Sequence, residues 1–471
     1  MLLLTATLTV LVIYWTLSTS GSAPQAVSLA VLVSVAAVAV HAARLFRDAL
    51  NPLTVLLVLV LVRLGLPSLL LLDTHMLPPA GTPLSDFSVS REELLEAQEL
   101  ALLGVLAVIA GWWACPRWAI AGADKVYRGM GRVPTGDPRM LPSALAAFAG
   151  GVIAATVYLA VNFGNPLSAA LAGVARQGAI AGTSRYGFAA VALLTTSSTL
   201  LVLYAAKRRP PLTWAATLAP ALAATAILTV FGGRVVALTP LGLGLVGARY
   251  LRREDPSQVT HRKRALRKPL AVVLLVTALV AYAASVPQYR GGGGASALAN
   301  VFSLSSLREY VEFSIWTELG TLHPYALAHR LGAGSLDGAT YPGLLGLFGS
   351  LLGLEGDRPG IVIVERLGLG PSDTDWGFHT GIVVDVFLNS GMGPAVLAAG
   401  LFGAVLRAEF EAFRRLPTAL GQTLLHCVVL WTLVWIYFES ISVLTSQVEL
   451  VLPVLALIVL LSRLLPTRGP A

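Results

Sequence analysis

The chain has 471 residues, 56% of them hydrophobic and only 12% charged, with a formal net charge of +8. A soluble globular domain holds about a quarter charged residues, so this composition, with a mean hydropathy of +0.75, excludes that class and gives an all-α polytopic membrane protein. The two cysteines, Cys115 and Cys427, sit in or beside apolar runs without metal-ligand spacing; no disulfide framework, metal site or cofactor is expected.

A membrane-crossing helix needs about 20 mostly apolar residues. Runs that qualify lie near 2–19, 25–43, 52–72, 94–116, 141–162, 187–206, 211–231, 235–250, 269–287, 379–406, 419–438 and 449–465. They predict about twelve transmembrane helices in a single integral membrane domain over 1–471. The first run, LLLTATLTVLVIYWTLSTS, has no basic residues before it and reads as a retained helix, because its removal would spoil the topology below. The run at 235–250 is short and contains Pro240.

With the N-terminus inside, alternate loops divide the basic residues cleanly. Inner loops hold 23 of the 33 lysines and arginines, eight of them around the basic cytoplasmic loop 251–268. Outer loops hold nine: Arg91, Arg176, Arg185, Arg234, Arg290, Arg308, Arg330, Arg358 and Arg366; Arg63 lies within the third helix. The positive-inside rule then predicts cytoplasmic N- and C-termini. A basic excess on short loops reports orientation among membrane lipids, so nucleic acid is excluded as a partner. All nine outer cations are arginine, the residue suited to bidentate recognition of phosphate.

A long extracytoplasmic loop spans about 288–378, opening on the flexible QYRGGGGAS. Within it, Ser306 and Glu309 have capping-box spacing, and the stretch to Gly332 predicts one or two interfacial helices. YPGLLGLFGSLLGLEG, residues 341–356, is apolar but too short to span, which predicts an interfacial or re-entrant segment.

Arg234 follows two glycines at the outer mouth of a helix, where it reads equally as an anion ligand and as a snorkelling boundary arginine. Arg176 and Arg185 lie among small residues on an outer loop, either as phosphate clamps or as solvated charges; Arg290 and Arg366 are in the same position. In TDWGFHTGIVVDVFLNSGMG, residues 374–393, a continuous helix puts Asp385 and Asn389 on one face, with His379 at the outer mouth. An ionisable residue inside a membrane segment marks a functional site by default. Asp385 is expected on the solvated wall of an outward-facing cavity, or paired with Arg63.

These residues resemble a known family. DVFLNSGMG (385–393) is similar to the (D/E)-x-(Y/F)-x-N-x-G pattern of bacterial oligosaccharide repeat-unit polymerases, the Wzy-type membrane enzymes. GATYPGLLGLFGSLLG resembles their G-x-(T/S)-Y segment, and FGGRVVAL resembles the arginine motif of the wider O-antigen polymerase and ligase superfamily. The ligases pair the outer-mouth histidine with asparagine, whereas Thr380 follows His379 here. Across roughly residues 160–410, the resemblance implies a GT-C-like membrane glycosyltransferase that is independent of metal. Its substrates would be undecaprenyl-pyrophosphate-linked oligosaccharides at the outer face of the bacterial cytoplasmic membrane, with a chain-length regulator and a flippase as partners. Arg234, supported by Arg176, Arg185, Arg290 and Arg366, would meet the pyrophosphate or glycan, together with Asn389. Asp385 or His379 would be the base or the acceptor-positioning group. An O-antigen-ligase-like transferase and a transporter or flippase are the alternatives.

Overall fold

The computed structural model describes residues 50–65, 91–131, 139–165, 185–207, 212–229, 234–253, 322–344, 359–368, 380–416, 420–438 and 442–464, with single positions between them. The described residues are helical. In chain order, α1 (Pro52–Val60) continues as a π-helical turn, Leu61–Gly65; α2 (Arg91–Ala114), α3 (Arg117–Gly131) and α4 (Met140–Phe163) follow. Then come α5 (Arg185–Lys207), α6 (Trp214–Thr229), α7 (Arg234–Arg253), α8 (His323–Leu331), α9 (Tyr341–Leu344) and α10 (Pro359–Arg366). The chain ends with α11 (Gly381–Ser390), α12 (Met392–Arg415), α13 (Leu420–Phe438) and α14 (Ser442–Leu464).

Among the described residues, four stretches are long and apolar enough to cross a membrane: Ala97–Ala114, Met140–Asn162, Tyr186–Lys207 and Leu420–Phe438. This pattern is that of a multi-pass membrane protein. The expected spans at 2–19 and 269–287 lie outside the described residues, as does nearly all of 25–43. Helices α3 and α10 appear where only loop was expected.

The chain divides into two compact units. Unit 2 (126–313, 416–428 and 447–471) has α5 at its centre, in contact with α4, α6 and α7. Leu194 and Ala190 of α5 pack with Tyr158, Ala224 and Leu228, while Val202 and Ala206 meet Ala221, Leu241 and Ala248. The polar run Thr195–Thr199 is buried within α5. Hydroxyls of Ser197, Ser198 and Thr199 donate back to carbonyls on the preceding turn, which makes them tolerable in an apolar helix.

Unit 1 (1–125, 314–415 and 429–446) is organised by α2 and α12. A glycine seam lets their backbones touch: a Cβ on Gly111 would strike the Gly400 carbonyl, and one on Gly403 would strike the Val108 carbonyl. Small residues drive close helix packing where water supplies no hydrophobic force. Gly400 meets Ala107 and Gly111, Gly403 meets Val108 and Trp112, and the Arg407 guanidinium lies over Trp112 and Trp113. The contacts advance together, so α2 and α12 run in the same direction.

The expected single span at 379–406 is instead a helical hairpin. Val383 touches α2 at Gly104, and Gly400 touches it at Ala107 and Gly111. On a straight helix, 17 residues would separate Val383 from Gly400 by about 25 Å, whereas their footprints on α2 lie only about 5–10 Å apart along its axis. The chain doubles back at Gly391, whose φ of +89° a residue with a side chain rarely adopts. Two arms of nearly equal length, 383 to 391 and 391 to 400, return the chain to the same level. Helix α11 therefore runs opposite to α2 and α12.

Doubling back inside an apolar environment leaves backbone carbonyls to satisfy. The loop after α8 does this. Amides of Gly334, Leu336 and Gly338 donate to the carbonyls of Phe387, Leu388 and Asn389, at 2.9, 2.9 and 3.1 Å. Arg330, at the end of α8, fastens that loop to the first turn of α2 through a bidentate pair with Glu93, both bonds 2.8 Å.

Candidate functional site

Asp385 lies in the middle of α11 and is 0% exposed. It does not stand on a solvated wall: the Thr380 hydroxyl donates to its Oδ1. Burial follows from the hairpin, because α11 is inserted among α2, α8 and α12. At the start of α11, Gly381 (φ +70°) presses on the Tyr437 carbonyl near the end of α13, an approach that no side chain would permit. The N-terminal end of one helix thus meets the C-terminal end of another, opposite dipole ends facing.

Two further groups belong to this neighbourhood. Tyr325, in the first turn of α8, is buried, and its hydroxyl feels both the Arg63 and the Asp385 charge. Burial pushes its pKa well up, Arg63 acts against that rise, and Asp385 adds to it. The hydroxyl therefore stays a proton donor at neutral pH. Arg63 sits in the π-helical turn, its guanidinium 5.7 Å from the Trp435 ring centroid and 5.0 Å from that of Phe438. Single π-turns inside helices are frequent at functional sites. The Tyr437 hydroxyl is buried beside Gly104 and Val383 and has no hydrogen-bond partner among the described residues. Tyr325 lay hidden in an interfacial stretch of the sequence, and only the Arg63–Asp385 pairing idea pointed to this cluster.

Asn389 was expected to face the glycan. In the structure its amide is engaged by the protein: Oδ1 accepts from the Thr340 backbone N–H at 3.3 Å and from its hydroxyl at 2.9 Å. Nδ2 donates to the Asp385 carbonyl at 2.7 Å and to Thr340 Oγ1 at 2.8 Å. Next to it, the Tyr341 and Ser390 hydroxyls lie 2.5 Å apart. The segments Gly338–Tyr341 and Asp385–Gly391, 49 residues apart at Thr340 and Asn389, are thus one structural unit.

Arg366 is exposed and donates from Nη1 to the Ser335 carbonyl at 3.0 Å, which ties α10 to the same loop. Arg185 and Arg234 open α5 and α7 in unit 2, as backbone positions. His379, Arg176 and Arg290 lie outside the described residues. Among the described residues, no three His, Cys, Asp or Glu side chains gather as a metal would need.

His323, beside this cluster on α8, is 3% exposed, and burial lowers its pKa to about 4. It is therefore neutral at physiological pH. What the arrangement offers chemically is a buried carboxyl that accepts from the Thr380 hydroxyl, and burial strengthens each electrostatic interaction. Comparison with family models, curated proteins and solved structures finds no match for this chain.

Proposed function

We propose that the protein polymerises oligosaccharide repeat units carried on undecaprenyl pyrophosphate, at the outer face of a bacterial cytoplasmic membrane. The observation that supports this most is the junction of the G-x-T-Y segment with the D-x-F-x-N-x-G segment. Thr340 is bonded to Asn389, Tyr341 lies against Ser390, and Asp385 stands one turn away on the same helix. Two short motifs that the resemblance to repeat-unit polymerases rests on are thereby parts of one site.

In this reading the acceptor sugar hydroxyl attacks the anomeric carbon of the lipid-linked donor. A new C–O bond forms, the bond from sugar to pyrophosphate breaks, and its electron pair leaves with the lipid pyrophosphate. Asp385 takes the acceptor proton; the hydroxyl of Thr380 occupies the place that the acceptor hydroxyl would take. The resemblance implies arginine neutralisation of the leaving pyrophosphate without a metal ion, with Arg234, Arg176, Arg185 and Arg290 as its candidates. His379 is the alternative base, and Asn389 and Arg366 hold the loop that shapes the site. Both chain termini are cytoplasmic, and a flippase and a chain-length regulator act alongside.

The test is the lipid-linked glycan profile of a deletion strain, with Asp385→Asn and Arg234→Ala in parallel. The expected outcome is surface glycan capped with a single repeat unit, read at matched amounts of membrane protein. Long polymer stranded on the carrier lipid would instead assign a ligase-like transferase. Normal-length polymer from either variant removes that residue from the mechanism.

A second reading, a transporter or flippase, is favoured by one observation: a half-helix, α11, that begins against another helix end beside a buried carboxylate. Discontinuous helices of this kind build substrate sites in transporters. Repeat units trapped on the cytoplasmic side of the deletion strain's membrane would select it.

A further inference from the structure

Helix α3 follows α2 after two residues, Cys115 and Pro116, at the end of a stretch long and apolar enough to cross a membrane. Proline at that junction stops α2 and starts a new helix, with Ala119 N–H donating to the Pro116 carbonyl. At about 100° per residue, the exposed and covered positions of α3 separate into two arcs. Ala119, Ile120, Ala123, Asp124, Tyr127 and Met130 are buried or half-buried on one side. The exposed arc is itself graded. Arg117 and Arg128 occupy one flank, Lys125 and Trp118 stand at the centre, Trp118 at 78% exposure, and Val126 lies on the other flank.

A tryptophan at 78% exposure beside three cations, at the end of an apolar stretch long enough to cross a membrane, fits one setting. That setting is an in-plane helix at a membrane boundary: the apolar flank enters the acyl boundary, tryptophan sits at headgroup level, and the cations reach phosphate. We propose that the exposed face of α3 is a docking surface for anionic phospholipid headgroups. The occupant is fixed by charge complementarity and by continuity with α2, which delivers α3 to the membrane edge. Each cation near an anionic surface adds its own attraction, so three residues make a distinction between anionic and zwitterionic lipid that can be measured. This surface belongs to lipid recognition and does not depend on the glycan reading.

The experiment is hydrogen exchange on the full-length protein in nanodiscs of dioleoyl phosphatidylglycerol, compared with nanodiscs of dioleoyl phosphatidylcholine. Amides of α3 are expected to exchange at least tenfold more slowly in phosphatidylglycerol, and 0.5 M salt is expected to reduce the difference. The triple change Arg117→Glu, Lys125→Glu, Arg128→Glu should abolish it, with protection of α2 unchanged as the measure of intact folding. The milder Arg117→Gln, Lys125→Gln pair serves if the triple variant does not fold, and should at least halve the effect. Equal exchange in both lipids overturns the proposal, as does a lipid preference that survives charge reversal. Protection that tracks protein concentration and not lipid would assign the face to a second copy of the chain, and equally overturns it.

Discussion

Thr340 and Asn389, 49 residues apart, hold each other through the Thr340 hydroxyl and backbone N–H and both polar atoms of the Asn389 amide. The same Asn389 amide reaches the Asp385 carbonyl one turn back. Buried groups left without partners cost about 1–3 kcal/mol each. Asn389→Ala is therefore expected to lower stability by about 2–3 kcal/mol and Thr340→Val by about 1–2 kcal/mol. Because they share bonds, the double variant should lose less than the sum. Thermal unfolding of the four proteins in detergent reads the coupling directly, and strict additivity would show that the two side chains do not support one another.

The hairpin gives a second prediction from glycine geometry. Gly381 has φ of +70°, and a Cβ there would enter the Tyr437 carbonyl. Gly393, two residues beyond the tip, is exposed and has open space around it. Gly381→Ala should therefore strip folded protein from the membrane, while Gly393→Ala should be neutral or stabilise α12 by up to about 1 kcal/mol. Equal yields of monodisperse protein from both variants would remove the tight contact on which the start of α11 depends.

Much of unit 1 was legible in the sequence, and the exceptions have physical causes. Hydropathy located α2 and α13 to within a few residues, because a span is a property of composition and length. It failed at 379–406, since two apolar helices joined by one glycine read the same as one long helix. The signal was local: Asn389, Ser390, Gly391, Gly393 and Pro394 crowd the tip with residues that end helices. Asp385 and Asn389 were found because polar groups in apolar runs are conspicuous. Their surroundings were not, because the Thr340 contact and the Arg330–Glu93 pair, 237 residues apart, leave no periodic trace.

His323 makes stability depend on pH. Burial lowers its pKa to about 4 from an ordinary value near 6.5, so the folded chain favours the neutral ring. Between those values the unfolded chain binds more protons. The contribution of His323 is therefore complete above about pH 6.5 and falls away as pH drops towards 4, by about 3 kcal/mol in all. Wild type should lose stability across that window faster than His323→Gln, measured as unfolding midpoints in detergent. Superimposable pH profiles would mean that the ring is not held neutral by its burial.

Arg63 and Asp385 act with opposite sign on one hydroxyl, that of Tyr325; Asp385 is buried and Arg63 half-buried. Removing one of two opposed charges leaves the other uncompensated, whereas replacing both is often close to neutral. Arg63→Met alone should therefore destabilise strongly, and adding Asp385→Asn should recover much of the loss. Tyr325→Phe, which removes the hydroxyl that both charges act on, should leave stability within about 1 kcal/mol of wild type. The folded double variant also separates structure from chemistry. If it accumulates normally yet extends no glycan chain, Asp385 serves more than the balance of charge with Arg63. If it restores polymer of normal length, the carboxylate is structural, and the proton acceptor must be sought at His379.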